Sequence, residues 1–207
     1  VIEMKTCLAA LIGLLTLLAC GPRRIESPDA TPAHKINTDY IIRLVGRSGA
    51  GHACPVWGTI LTAAHMLESD DDDGLVGYVW SDRAGGEGFL SPLRVSRKRD
   101  LGEMYVLTGV PIYYKGSTSE PDPGDTLHWV EYAFDDEPFA LKTKKAKLVE
   151  NLSGHLVMDT PPEQGGSGSC VLNDSGEVVG IVVWTVRNGG VAVSIAGPWW
   201  PRWQLEK

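Results

Sequence analysis

Residues 164–172 read QGGSGSCVL: glycines and serines alternate closely around Ser167 and Ser169, and Cys170 then opens an apolar run. A serine hydroxyl is a poor nucleophile until a neighbouring base takes its proton. That base works best when an acid fixes its tautomer and stabilises the imidazolium. A turn that holds a serine outward for chemistry therefore needs one histidine and one carboxylate. Of the five histidines, His34 lies in a proline-rich stretch, His52 in a glycine-rich turn, and His128 and His155 within strand-like runs. His65 stands apart at the end of GTILTAAH, where a β-run breaks into small residues. Between it and the serines, the carboxylates open for the third role include Asp70 to Asp73, Asp82 and Asp100. Only Asp100, in RKRDLGEMYVL, begins a strand-like run.

The elements that must position these residues are short. From Tyr40 onward, runs such as YIIRLVG, TILTAAH, LVGYVW, LRVSR and EMYVLTG recur, followed by TLHWVEYAF, KAKLVEN, HLVMDT, SCVLN, EVVGIVVWTV and VAVSIAG. Turn residues punctuate them, as in PDPGD and NDSGE. Twenty-four glycines and thirteen prolines in 207 residues agree with many turns. The pattern predicts an antiparallel all-β sandwich or barrel, with helical turns only at TAAHML and a short C-terminal helix in GPWWPRWQLEK. The net charge of −7 argues against nucleic-acid binding, which needs a basic stripe. The run SDDDDG at 69–74 reads as a solvated loop, because hard-cation sites need spaced ligands rather than dense ones.

The N-terminus has its own logic. In MKTCLAALIGLLTLLAC, the apolar stretch Leu8 to Ala19 is too short to span a bilayer about 30 Å thick, but it suits the apolar region of a secretory signal. The ending LTLLAC resembles a bacterial lipobox, which implies lipidation at Cys20. The following GPRRIESPDATPAHK has tether composition. The expected organisation is a signal and lipobox at 1–20, a flexible tether at 21–35, and a folded domain at 36–207.

TAAH and GGSGSC, in that order with Asp100 between them, resemble the histidine and nucleophile motifs of the chymotrypsin/trypsin-like serine peptidases. The stretch LVMDTPPEQGGSGSCVLNDSGEVVGIVVW resembles the bacterial form of the pattern. The resemblance spans roughly Ile41 to Ile195 and implies two antiparallel six-stranded β-barrels. It makes His65 the general base, Asp100 its orienting acid and Ser167 the nucleophile, with Ser169 in a non-catalytic position. Gly165 and Ser167 would supply the N–H groups of an oxyanion hole, where a side chain at 165 would block the substrate carbonyl. Glu103 departs from the pattern, standing where a buried apolar residue is usual, so a bulge at Gly102 or a shifted stretch is expected.

The same resemblance implies a Cys54–Cys170 disulfide, which export to an oxidising compartment would permit. It puts Pro161 and Pro162 on the floor of a substrate pocket, next to Gln164. Val182, Val183, Trp184 and Thr185 form one wall, and Gly189, Gly190 and Val191 the other. Thr185 narrows the pocket, which implies a small or medium uncharged residue before the scissile bond; a glutamate preference follows if His155 points inward. No cofactor or metal is implied. The implied function is a monomeric serine endopeptidase acting on peptide or protein substrates, exported to the periplasm or cell surface and membrane-tethered as a lipoprotein. Two alternatives are an inactive binding module on the same fold and a viral polyprotein-processing peptidase.

Overall fold

The computed structural model describes residues 42–46, 49–67, 78–81, 85–109, 111, 113–132 and 141–197. The signal, lipobox and tether, the aspartate run and the C-terminal helix expected from sequence lie outside the described residues. Among the described residues, twelve strands form two closed antiparallel barrels of six strands each. The first contains β1 (Ile42–Gly46), β2 (Gly49–Val56), β3 (Thr59–Ala63), β4 (Tyr78–Ser81), β5 (Glu87–Ser96) and β6 (Leu101–Thr108), in spatial order β1-β2-β3-β6-β5-β4. The second contains β7 (Thr126–Tyr132), β8 (Leu141–Leu152), β9 (His155–Met158), β10 (Cys170–Leu172), β11 (Val178–Val186) and β12 (Gly189–Ser194), in order β10-β11-β12-β9-β8-β7.

Side-chain alternation along each strand sorts the apolar residues into three cores. Ile42, Leu44, Ile60, Trp80, Leu90 and Met104 fill the first barrel. Leu127, Trp129, Leu148, Leu156, Val179 and Val182 fill the second. A third core lies between the barrels and draws on the opposite faces of the same strands: Leu61 beside Ile60 on β3, and Ile181 and Val183 flanking Val182 on β11. Strands buried on both faces read as continuous apolar runs, which explains VVGIVV in β11.

The segment between the barrels is stitched to both. Tyr114 N–H donates to the Pro55 carbonyl at 2.8 Å, and Ser117 N–H donates to that of Val178 at 2.8 Å. The bulge expected at Gly102 is absent: β3 and β6 run in register through Thr62↔Gly102 and Leu61↔Glu103. The irregularity lies instead in β5, between Pro92 and Arg94. Glu103 is buried as an acceptor, taking the Thr59 hydroxyl at 2.7 Å and Arg94 Nε at 2.5 Å.

Candidate active site

β3 and β6 end together at the pair Ala63↔Leu101, so the residues just beyond face each other. A single 3-10 turn, Ala64–Met66, follows β3 and carries His65. Opposite it, Asp100 adopts φ +52°, a left-handed conformation that aspartate tolerates better than most residues. Three hydrogen bonds join these two corners. Ala64 N–H donates to the Asp100 carbonyl at 3.0 Å, His65 N–H to Asp100 Oδ1 at 2.8 Å, and His65 Nδ1–H to Asp100 Oδ2 at 2.7 Å. With its proton on Nδ1, His65 turns the lone pair of Nε2 outward, where Ser167 Oγ lies 3.1 Å away. Asp100 is 6% exposed, which shields its bond to His65 from water. The three residues singled out from sequence, 35 and 102 positions from the shared histidine, thus form one hydrogen-bonded chain.

The turn that carries Ser167 belongs to the second barrel but is gripped by the first. His52 is fully buried on β2 rather than in a turn, and it holds both sides of Ser167. Its backbone N–H donates to the Ser167 carbonyl at 2.9 Å, and its Nδ1–H to the Gly165 carbonyl at 2.7 Å. Burial, helped by Arg43 and opposed by the Gly165 bond, lowers the His52 pKa to about 4, so the ring is neutral at pH 7. A Cβ at Gly168 (φ +86°) would lie 1.9 Å from the His52 carbonyl oxygen, so this glycine is required by both conformation and space. Gly51 is similarly hemmed in by Met66 and the Ser167 carbonyl. Ser169 is buried, and its Oγ has no hydrogen-bond partner among the described residues.

Gly165 has φ +87°, and its carbonyl is turned to His52. Among the described residues, the N–H groups of Gly165 and Ser167 make no hydrogen bond. A disulfide joins Cys54 on β2 to Cys170 on β10, with Cα atoms 5.0 Å apart and 116 positions between them in sequence. It fastens the strand carrying His52 to the strand that leaves the Ser167 turn.

The remaining sequence-predicted residues border this centre unevenly. Pro162 is buried against Gly190, where a Cβ would come within 2.7 Å of the proline ring, while Pro161 and Gln164 are exposed. Val183 is buried; Trp184 and Thr185 are exposed. Because β10 begins at Cys170, opposite Ile181, the end of β11 from Trp184 to Val186 pairs only with β12 among the described residues. His155 is half-buried and lies flat against Trp184, with ring centroids 5.7 Å apart and an interplanar angle of 11°.

Sequence reasoning passed over His52 and Glu131. Glu131 is 1% exposed on β7. Its carboxylate accepts Trp129 Nε1–H at 3.1 Å and the Glu163 N–H at 3.2 Å. A signal was available: Leu127, Trp129 and Glu131 alternate onto one strand face, so the acid falls in a core position.

The profile of the Trypsin-like peptidase domain family matches residues 41–181. No curated protein sequence matches the chain significantly. Among solved structures, the Rv3671c protease in an inactive form is similar at TM-score 0.63 and 14% identity, over 81% of this chain and 91% of that one. The serine endoprotease from Yersinia pestis is similar at TM-score 0.62 and 18% identity; the match covers 77% of this chain and 60% of the Yersinia chain. The human pathogenic astrovirus serine protease is similar at TM-score 0.59 and 17% identity, over 79% and 93%. At these identities the likeness is one of fold.

Proposed function

The chain belongs to the trypsin-like peptidase domain family, and we propose that it is a serine endopeptidase in which Ser167, His65 and Asp100 act together. The observation that carries this reading is the continuous chain from Asp100 Oδ2 through His65 to Ser167 Oγ, at 2.7 and 3.1 Å. His65 Nε2 takes the hydroxyl proton as Ser167 Oγ attacks the scissile carbonyl, and Asp100 stabilises the imidazolium that results. The N–H groups of Gly165 and Ser167 receive the developing oxyanion; one such donor contributes about 3 kcal/mol of transition-state stabilisation. His65 then gives its proton to the leaving amine, and water activated by the same ring releases the acyl-enzyme.

An extended substrate adds to the open edge of β11 at Trp184–Val186 by main-chain hydrogen bonds. Its side chain before the scissile bond enters the space bounded by Pro161, Pro162, Gln164, Val183, Thr185 and Gly190. Thr185 favours a small or medium uncharged residue there. The Cys54–Cys170 disulfide supports an extracellular or periplasmic setting. Among the described residues, no helix is long and apolar enough to cross a membrane. We assign attachment to a lipid on Cys20, tested by metabolic labelling with an alkyne fatty acid and its loss in Cys20→Ala.

The central test is active-site labelling with a fluorophosphonate, followed by a peptide-library cleavage profile. Labelling should map to Ser167 and vanish in Ser167→Ala. A folded protein that takes no label would overturn the reading in favour of a binding module.

A further inference from the structure

The nucleophile turn rests on a buried acid that the reaction itself does not use. Glu131 lies beneath the turn, and a Cβ added at Gly166 would come 2.5 Å from Glu131 Oε2. The carboxylate therefore fills the space that a side chain at position 166 would need. Its two oxygens face two donors. Oε2 accepts Trp129 Nε1–H at 3.1 Å, and Oε1 accepts Glu163 N–H at 3.2 Å. Glu163 in turn closes the turn, since its carbonyl accepts Gly166 N–H at 2.9 Å. Fixing the Glu163 amide thus fixes the entry to Gly165, Gly166 and Ser167. From the other side, His52 holds the Gly165 carbonyl.

Taking a carboxylate out of water costs several kcal/mol, and apolar packing alone offers nothing to offset it. Here two hydrogen bonds and one cation do. Lys144 on β8 lies 3.7 Å from Glu131 Oε1 and 2.6 Å from Glu163 Oε1, while Lys142 holds Glu163 Oε2 at 2.9 Å. We propose that Glu131 is a positioning residue for the oxyanion turn: its ionised carboxylate clamps the Glu163 amide beneath Gly166 and so holds the Gly165 and Ser167 N–H groups ready. Two donors facing two oxygens suit an ionised carboxylate. A protonated acid, or a glutamine, turns a donor toward one of them.

Burial raises the Glu131 pKa, with the Trp129 and Glu163 bonds and Lys144 opposing and Glu163 assisting. Acid therefore loosens the clamp before it would reach an ordinary glutamate. Among the described residues, the charged groups on this clamp are Lys144 and Glu163, with Lys142 acting through Glu163.

This inference rests on the peptidase reading for its catalytic consequence, but its test has an arm independent of activity. Amide hydrogen exchange at Glu163 and Gly166 should show protection that declines on acidification in the wild type. In Glu131→Gln the protection should be low and independent of pH. In Lys144→Met the decline should move to higher pH, because the protonated acid loses a competitor. Fluorophosphonate labelling should be about tenfold slower at saturation in Glu131→Gln, with half-saturation unchanged, as expected when only the transition-state geometry is disturbed. Unchanged exchange and labelling in a folded Glu131→Gln protein overturns the proposal. A wild type that takes no label defeats the peptidase reading instead, and the exchange profiles still decide the role of Glu131.

Discussion

The two halves of the candidate active centre are built in opposite ways. The His65–Asp100 corner is made within one barrel, from the ends of two paired strands, and three short bonds across that pairing fix it. The Ser167 turn is made by one barrel and held by parts remote in sequence: His52 and Cys54 from the other barrel and Glu131 from beneath. The corner should therefore keep its geometry through changes elsewhere that leave β3 and β6 paired. The turn depends on the two barrels staying docked, and its N–H donors should be the first part of the centre to lose its geometry when that docking weakens.

The sharpest way to break the corner alone is Asp100→Asn. The amide keeps one oxygen for the His65 N–H but presents its NH₂ to Nδ1, which forces the proton onto Nε2. His65 then cannot accept from Ser167, and kcat/KM should fall by about 10⁴-fold while thermal stability changes little. Steady-state kinetics beside a melting curve checks both halves of that statement. Retained activity in a folded variant would remove Asp100 from the centre.

Breaking the turn's anchorage should read out differently. Replacing Cys54 and Cys170 together by serine removes a link between residues 116 positions apart. The expected cost is about 2–5 kcal/mol of unfolding free energy, measured by denaturant titration. Exchange protection around Ser167 should drop more than protection around His65. Equal loss at both places would mean that the centre is one cooperative unit, contrary to the comparison. Peptide mapping of the oxidised protein should recover Cys54 and Cys170 as one linked pair.

The same division explains what could be read from sequence. His65 and Ser167 sit in short motifs whose chemistry is local: small residues before the histidine, glycines around the serine. Asp100 was legible because a strand opens directly after it. β2 was not, because GAGHACPV lacks the branched and aromatic side chains that mark a strand. Gly51 is small for a tertiary reason: the Ser167 turn of the other barrel comes within contact of it and of the His52 backbone. Glu103 looked misplaced for a related reason. Its partner Arg94 comes from the neighbouring strand across an irregular register that β6 itself does not reveal. The two barrels were legible from the spacing of runs and turns together with the motif resemblance, since strand closure depends on pairings that no single run encodes.

His52 gives a gentler probe of the turn. Its folded pKa of about 4 lies below the ordinary value of 6.5, so between those limits the unfolded chain binds a proton that the folded protein refuses. Its contribution is therefore fully present above about pH 6.5 and is lost as pH falls toward 4, amounting to about 3 kcal/mol. Glu131 works with the opposite sign: its raised pKa makes the folded state take up a proton before the unfolded chain does, so this protonation favours folding as pH falls. The difference in unfolding free energy between wild type and His52→Gln, followed from pH 7 to 4, isolates the histidine. A flat difference would mean that His52 does not stay neutral in the fold.

The smallest expected effect separates two serines two residues apart. Ser167 Oγ faces His65, whereas Ser169 Oγ is buried with no hydrogen-bond partner among the described residues. A buried hydroxyl left unpaired costs about 1–3 kcal/mol relative to one that is satisfied, so deleting it relieves a penalty and leaves only a small void. Ser169→Ala should leave the rate of fluorophosphonate labelling unchanged and hold or raise stability by about 1 kcal/mol, within the usual spread of such substitutions. Ser167→Ala should abolish labelling while leaving the melting temperature nearly unchanged, because its hydroxyl serves the centre rather than the packing. If Ser169→Ala slowed labelling as well, the turn would have to present its hydroxyls differently, and the grip of His52 on both sides of Ser167 would be the first contact to re-examine.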